Sequence, residues 1–383
     1  MTVTDPEAAP FRVESLILRE IQMPLRSPFR ISSGVEHHRR IFLLELRAPD
    51  GTRGWSECVA QERPNYSPET LETAWLAVRS WLAPRILGRD FAGPAEVAGL
   101  LEEGIRGHRM ARAGVEMGCW ELAARSNRVS LSRLLGGTRD RVETGISLGI
   151  QDSPDDLVRR IESALEEGYR RIKVKIEPGS DLAFLRAARE AVGPGAPLMA
   201  DANAAYGRDD IEHLAAFDAF DLLMLEQPLA PDDLLGHARL QERMETPICL
   251  DESVTSPTRA RDAIELNAAR IVNVKPGRVG GFVPSLRIHD VCRDHGVAVW
   301  CGGMLESGVG RAHNVALASL PNFRLPGDLS ASRRYWERDI VDPEWEVDAE
   351  SLVTVPVERP GMGVEVIPGR VEELTVREEE LTG

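Results

Sequence analysis

The feature that most constrains the fold of this 383-residue chain is a repeat of about 25 residues, in which a short apolar strand precedes an amphipathic helix. Such regular alternation predicts parallel strands joined by right-handed crossovers, and seven or eight units favour a closed ring over an open sheet. We therefore predict an α/β fold with a (β/α)7β barrel of the TIM type. Its strands are expected at residues 143–150, 171–177, 197–203, 222–227, 247–252, 270–276, 297–303 and, more weakly, 322–328.

The chain on either side of this repeat is organised differently. Residues 1–140 combine an apolar run, an Asp-Gly hairpin signal and helical spacing of apolar residues, which predicts an α+β domain. The barrel is expected to occupy residues 141–334. Beyond it, strands and turns return, and we expect residues 335–383 to pack back on the first domain. Residues 25–38 contain Pro, Ser and Gly residues and predict a mobile loop.

Charge and composition argue against several classes of protein. A net charge of −15, with no basic stretch, argues against nucleic-acid binding. The acidic N-terminal segment does not have the pattern of a signal peptide, and the sequence lacks an apolar stretch of about 18 residues that would span a membrane. The five cysteines have no metal-type spacing, and their odd number argues against disulfides. We therefore expect a reduced, cytoplasmic protein.

Charged residues stand in phase at the ends of five successive predicted strands. The intervals between them are 26, 25, 25 and 24 residues, so each strand–helix unit contributes one. Because strand side chains alternate between two faces, each charged residue lies opposite its apolar neighbours and is expected inside the barrel. Barrel enzymes keep their chemistry at this C-terminal edge of the strands. The five residues are Lys175, Asp201, Glu226, Asp251 and Lys275.

The lysines themselves are informative, because only three of the 46 basic residues are Lys: Lys173, Lys175 and Lys275. Arginine cannot lose its proton in a protein, whereas lysine can. Lysines kept inside apolar strands of an arginine-rich chain are therefore candidates for proton transfer or for a Schiff base.

The three carboxylates predict a metal site. Asp201, Glu226 and Asp251 would converge on one wall of the barrel and repel one another unless a cation neutralises them. Oxygen ligands favour Mg²⁺, with Mn²⁺ as a possible substitute, and the lack of His or Cys at these positions argues against zinc. The alternative is that the three carboxylates simply pair with neighbouring arginines.

Two of the lysines are predicted to face each other across the barrel mouth. Lys175 ends the second strand and Lys275 the sixth, four strands apart in a ring of eight. A substrate carboxylate on the metal would present its α-carbon to both amines, and the metal would stabilise the enediolate formed on proton loss. One lysine would remove the proton and the other could return it on the opposite face.

At these residues the sequence resembles the enolase superfamily, in its muconate-lactonising-enzyme subgroup. Within that subgroup it is similar to the o-succinylbenzoate synthase / N-succinylamino acid racemase family. The matching segments are Lys173-Val174-Lys175, Asp201-Ala202-Asn203, Glu226-Gln227-Pro228, Asp251-Glu252-Ser253, Lys275-Pro276-Gly277-Arg278 and Trp300-Cys301-Gly302-Gly303-Met304-Leu305-Glu306. The resemblance covers nearly the whole chain.

This resemblance implies a capping domain over the barrel, Mg²⁺ on the three carboxylates, and Lys175 and Lys275 as the acid/base pair. It implies dehydration to o-succinylbenzoate, a step of menaquinone biosynthesis, or racemisation of N-succinyl or other N-acylamino acids. It also implies a small carboxylate substrate and a homo-oligomer. The implied substrate-binding residues are Lys173, Asn203, Ser147, Arg278, Gly303, Met304, Leu305 and Phe29.

Several alternatives stay open on the sequence. Related activities of the superfamily include dipeptide epimerase and muconate cycloisomerase. A lysine Schiff-base aldolase on the same barrel would leave the three carboxylates unexplained, and a non-catalytic binding protein would retain the site without using it. Arg278 could tether a loop to a carboxylate rather than contact substrate. Glu252 is expected to support a neighbouring residue rather than act as a base.

Overall fold

The computed structural model describes residues 9–31 and 34–383, and its central element is a parallel sheet of seven strands. Each strand pairs with its neighbours in the sequence, which is the order expected when consecutive βα units wind around one axis. The strands are Gly145–Leu148, Arg171–Lys175, Leu198–Asp201, Met224–Glu226, Ile248–Leu250, Ile271–Val274 and Ala298–Cys301.

An irregular segment closes the ring between the seventh strand and the first. Residue Phe323 bridges to Val299, and Gly327 bridges to Thr144, both in the parallel sense. The backbone N–H of Gly145 also donates to the carbonyl of Gly327 at 2.8 Å. The weakly predicted eighth strand therefore takes the eighth position, and the (β/α)7β barrel is confirmed.

Helices surround the sheet, and the helix after the first strand has capping residues that are visible in the sequence. Ser153 accepts from the backbone N–H of Asp156 at 3.1 Å, Pro154 occupies the first turn, and Gly168 follows the helix with φ +97°. The helices of the barrel are Pro154–Glu166, Asp181–Val192, Ile211–Ala215, Leu234–Gln241, Pro257–Glu265, Pro276–Val279, Phe282–Asp294 and Gly308–Ala318, with 3-10 turns at Arg208–Asp210 and Ala216–Phe220.

The N-terminal region is an antiparallel sheet with helices against it. Its strands, in spatial order, are Thr375–Thr382, Ser15–Ile31, Gly34–Arg47 and Arg53–Cys58, so the last strand of the chain adds to the first sheet. Its helices are Leu71–Ala77, which continues through a π-helical turn Val78–Leu82 into Ala83–Ile86, then Ala95–Glu102, Arg109–Ser126 and Leu131–Leu134.

The remaining elements are short. Three antiparallel pairs join Phe11–Arg12 to Asp90–Phe91, Arg141–Glu143 to Leu352–Thr354, and Val341–Asp342 to Glu365–Val366. A 3-10 turn at Ser332–Arg334 and a helix at Pro368–Leu374 complete the chain. The domain boundaries near residues 140 and 334 stay a prediction. All five cysteines are buried and free.

The prediction of a mobile loop over residues 25–38 is wrong for its described part. Residues up to Ile31 and from Gly34 onward continue the long strands, with Phe29 opposite Glu36. The extension is seated on the barrel, because the carbonyl of Arg30 accepts from the backbone N–H of Ile150 at 2.9 Å. Contacts with the barrel therefore outweigh the turn-forming tendency of this segment, because strand formation depends strongly on tertiary context.

Buried carboxylates of the N-terminal domain hold two barrel helices at their N-termini. Glu116 accepts from the backbone N–H groups of Phe282 and Val283 at 2.7 and 2.9 Å. Glu57 accepts from the N–H and hydroxyl of Ser307 at 3.0 and 2.6 Å. These contacts satisfy backbone N–H groups that would otherwise be unpaired at the helix N-termini. They attach the N-terminal domain directly to the barrel.

Candidate active site

The strand ends bring the charged residues of the sequence repeat into one buried group. Each lies at or directly after the C-terminal end of a barrel strand. All are less than 9% exposed, and ion pairs between residues of different strands bring their side chains together on the inner face of the ring. The group comprises Lys173, Lys175, Asp201, Glu226, Asp251 and Lys275.

Beneath this group lies an apolar floor inside the barrel, formed by Met199, Met224, Cys249, Ile271 and Trp300. The indole N–H of Trp300 contacts the sulfur of Cys249 at 3.2 Å, and the Lys173 ammonium stands 5.0 Å from the indole ring centre. The floor keeps water away from the base of the charged group, which strengthens the interactions above it.

Lys173 is held by three carboxylates. Its Nζ lies 2.6 Å from Asp328 Oδ2, 3.1 Å from Glu226 Oε2 and 3.3 Å from Asp201 Oδ2. Burial alone would lower the pKa of Lys173, but the negative charges of Asp328, Glu226 and Asp201 outweigh it and raise that pKa. The three carboxylates therefore favour the ammonium form of Lys173 in this structure.

Lys175 has a different environment. Its Nζ lies 2.6 Å from Asp201 Oδ2 and 2.6 Å from the amide oxygen of Asn203. The Asn203 backbone is left-handed at φ +43°, and its N–H donates to Asp201 Oδ1 at 3.0 Å. Asparagine tolerates this conformation better than most residues. Two groups from the third strand and its following turn therefore orient Lys175.

Lys275 is held from the other side of the ring. Its Nζ lies 2.8 Å from Asp251 Oδ2 and 3.4 Å from the hydroxyl of Tyr66, whose ring centre is 4.9 Å away. Burial lowers the pKa of Lys275, but its electrostatic interactions with Tyr66, Glu226 and Glu252 outweigh burial and raise that pKa.

Arg278 contacts a carboxylate and two backbone carbonyls in this structure. Its guanidinium pairs with Asp251 Oδ1 and donates to the carbonyls of Asn273 and Val254 at 2.5 and 3.0 Å. The hydroxyl of Tyr66 lies 3.2 Å from the same guanidinium. These partners connect the end of the sixth strand to the loop that follows the fifth.

The pKa values of Asp201 and Glu226, two of the three carboxylates, are shifted in opposite directions. Burial would raise the pKa of Asp201, yet Lys175 and Lys173 lower it well below its usual range. Burial and the charge of Asp201 raise the pKa of Glu226, which also accepts from the amide of Asn273 at 2.7 Å. The two neighbouring carboxylates therefore have pKa values that are shifted in opposite directions.

The other predicted pocket residues are placed less centrally. Ser147 pairs in register with Lys173, and its buried hydroxyl has no hydrogen-bond partner among the described residues. Gly303 lies against Asp328, because a Cβ there would stand 3.1 Å from the Asp328 carbonyl oxygen. Met304 is buried, and Leu305 adopts φ +58°. Phe29 packs edge-to-face on Tyr335 at 6.2 Å. Phe29 stays outside the contacts described for the lysines.

Sequence reasoning missed two residues of this site. Asp328 ends the irregular eighth segment, where its position at a strand end could have identified it. Its carboxylate also accepts from the Arg171 guanidinium at 2.9 Å, and the two cations lower its pKa although burial opposes them. Tyr66 comes from the N-terminal domain, and no local pattern marks it.

The three carboxylates supply only oxygen ligands, which suit a hard cation. In this structure, however, lysine and arginine side chains already neutralise these carboxylates. Lys173 bridges Asp201 and Glu226, while Lys275 and Arg278 hold Asp251. Within residues 9–31 and 34–383, no three His, Cys, Asp or Glu side chains are gathered in an arrangement that would hold a metal ion. A cation bound to Asp201, Glu226 and Asp251 would therefore compete with these ammonium and guanidinium groups for the same oxygen atoms.

Comparison with known families agrees with this architecture. The family described as mandelate racemase / muconate lactonizing enzyme, N-terminal domain, matches residues 13–136. The family described as enolase C-terminal domain-like matches residues 156–370, which is more than half of the chain. The chain belongs to the enolase superfamily. The predicted resemblance is thereby confirmed, and this superfamily member is an enzyme.

Individual relatives of this enolase-superfamily enzyme match over nearly their full length. An o-succinylbenzoate synthase from Geobacillus kaustophilus is 49% identical, over 95% of this chain and 96% of the relative. An N-succinylamino acid racemase from Amycolatopsis sp is 47% identical, over 95% and 98% of the two chains. A solved structure of an enolase-superfamily member from Listeria innocua superposes with a TM-score of 0.93 at 36% identity, covering 97% and 99%.

Across residues 9–31 and 34–383, none of the helices combines the length and the apolar character that a membrane span needs.

Proposed function

We propose that this enzyme abstracts a proton from the carbon next to a substrate carboxylate. The observation that carries the proposal is the pair of buried lysines, Lys175 and Lys275, four strands apart in a closed ring with carboxylates between them. Groups placed this way can approach one carbon from opposite faces. Proton transfer by a positioned side chain contributes about 10²- to 10⁴-fold to a rate.

We propose two reactions for this site, in line with the names of the relatives. In racemisation of an N-succinyl or other N-acylamino acid, one lysine takes the α-proton and the other donates a proton to the opposite face. In formation of o-succinylbenzoate, the proton leaves the carbon and hydroxide leaves its neighbour, so that water is the second product. For the dehydration we assign the base role to Lys175, with Lys275 stabilising the charge that develops.

Charge placement supports these roles. Lys173 bridges two carboxylates at the base of the site, and we assign it to bind the substrate carboxylate. We assign substrate contacts also to Asn203, Ser147, Gly303, Met304, Leu305 and Phe29. The buried Ser147 hydroxyl, which has no partner among the described residues, is available to bind a substrate oxygen. Arg278 is proposed to hold Asp251 and, through it, Lys275.

We further propose that Asp201, Glu226 and Asp251 hold Mg²⁺, with Mn²⁺ as a substitute, in the active enzyme. When bound, the cation would offset the negative charge that develops on the substrate carboxylate. The carboxylates supply only oxygen ligands, which suits a hard cation. We also propose a cytoplasmic homo-oligomer, with a place in menaquinone synthesis if the dehydration is the physiological reaction.

The test is α-proton exchange followed by NMR in D₂O. Both enantiomers of N-succinyl and N-acetyl amino acids are incubated with enzyme and Mg²⁺, alongside the hydroxy-acid precursor of o-succinylbenzoate. Deuterium is expected at the α-carbon of both enantiomers, or o-succinylbenzoate is expected from the precursor. EDTA should abolish both, and Mg²⁺ should restore them. If no substrate exchanges or dehydrates with Mg²⁺ present, the proposed function is wrong.

A further inference from the structure

Asn203 makes three polar contacts that connect separate strands of the barrel. Its amide oxygen accepts from Lys175 Nζ at 2.6 Å, and its backbone N–H donates to Asp201 at 3.0 Å. Its amide nitrogen donates to Glu252 Oε1 at 3.2 Å. The amide can be oriented in only one way by these contacts, because the oxygen must face the ammonium and the nitrogen must face the carboxylate.

Glu252 follows the fifth strand and reaches back toward the turn after the third. Its second carboxylate oxygen, Oε2, is buried and has no hydrogen-bond partner among the described residues. Burying a carboxylate with one oxygen unpaired costs free energy, so packing alone does not explain why a glutamate occupies this position. The one side-chain contact described for Glu252 is the amide of Asn203.

We propose that Glu252 is a positioning residue, which holds Asn203 in the orientation that aligns Lys175 with the substrate carbon. The inference rests on the proposed function for the catalytic role of Lys175, and on the two hydrogen bonds for the positioning. Without the Glu252 acceptor, the Asn203 amide is free to rotate and to turn its nitrogen toward the ammonium. That orientation places donor against donor, and Lys175 would lose one of its two supports.

The Glu252 charge has a separate effect. Glu252 and the Lys275 ammonium also interact electrostatically. Removing the charge can therefore alter Lys275, whereas removing the hydrogen-bond acceptor alters Lys175. Two substitutions separate these effects. Glu252→Gln removes the charge and keeps an oxygen for Asn203, and Glu252→Ala removes both.

The experiment measures α-proton exchange of each enantiomer separately in D₂O with Mg²⁺. The enantiomer served by Lys175 is identified as the one whose exchange is lost in Lys175→Arg. For that enantiomer, E252A is expected to exchange at least about tenfold more slowly than E252Q, the scale of one hydrogen bond to a charged group. For the other enantiomer, the two variants are expected to be alike, because both lack the charge.

A crystal structure of E252A provides a readout that does not depend on activity. The distance from Lys175 Nζ to the nearest oxygen of Asn203 is expected to exceed about 3.5 Å. Equal exchange by E252A and E252Q on the Lys175 side would overturn the inference, and so would an Asn203 amide that keeps its contact with Lys175. If wild-type enzyme exchanges neither enantiomer, the proposed function fails, and the crystal structure still decides the positioning.

Discussion

Lys173 Nζ lies 2.6 Å from Asp328 Oδ2, which links the second strand of the barrel to the irregular segment that closes it. The pair is buried, and Arg171 joins it from beneath at 2.9 Å. The carboxylate therefore does two things at once. It fixes the Lys173 ammonium, and it anchors a segment that pairs with its neighbours through isolated bridges rather than a regular strand.

Asp328→Ala is expected to lower the free energy of unfolding by about 3–5 kcal/mol, because it leaves two buried cations without this partner. Urea denaturation followed by circular dichroism measures the loss. The matched control is Glu212→Ala, which breaks the exposed pair with Arg243 and should cost at most about 1 kcal/mol. Similar losses of unfolding free energy for the two variants would show that the buried pair contributes no more to stability than the exposed pair.

Lys175→Arg and Lys275→Arg are each expected to abolish racemisation, lowering the rate by about 10²- to 10⁴-fold. Arginine keeps the positive charge but cannot release its proton at any working pH. Each variant should still exchange the α-proton of one enantiomer, and the two variants should retain opposite enantiomers. Substantial racemisation by either variant would contradict the assignment of two acid/base lysines.

Tyr66→Phe is expected to slow exchange on the Lys275 side by about tenfold, because the hydroxyl contacts Lys275, Arg278 and Asp251. The ring over the ammonium is retained in this variant, so Tyr66→Leu should be slower still. Exchange by each enantiomer in D₂O is again the measurement. A uniform loss for both enantiomers would indicate a general disturbance of the barrel mouth instead.

Stability is expected to fall as the pH rises through neutrality. Burial raises the pKa of Glu57 to about 8 and that of Glu116 to about 7, from ordinary values of 4.5. The folded state therefore binds more protons than the unfolded state between pH 4.5 and about 8, and stability decreases with pH across that window. The contribution is fully present below pH 4.5 and is lost as the folded carboxylates ionise.

Thermal unfolding from pH 5 to pH 9, measured with and without Glu57→Gln, checks this expectation. The substitution removes the titrating group, so the melting temperature of the variant should decline less over the window than that of the wild type. The same comparison with Glu116→Gln should flatten the lower part of the curve. Parallel curves for wild type and both variants would place the pH dependence elsewhere in the protein.

The sequence by itself determined the barrel and the residues that ring its mouth. Strand alternation is a local property, so the lysines and carboxylates could be assigned to the inner face from their immediate neighbours. The regular interval of about 25 residues then assigned one charged residue to each of five successive strands. The capped start of helix Pro154–Glu166 was predictable for the same reason, since its signals lie within a few residues.

Only the tertiary structure decided which partner each lysine has. Tyr66 lies 209 residues from Lys275, and the contact exists because the N-terminal domain packs over the barrel. The pairing of Lys173 with Asp328 depends on ring closure, and the extended strands of residues 25–31 depend on docking against the barrel. Contacts between residues far apart in the chain leave no periodic signal, because they are set by how complete elements pack rather than by neighbouring side chains.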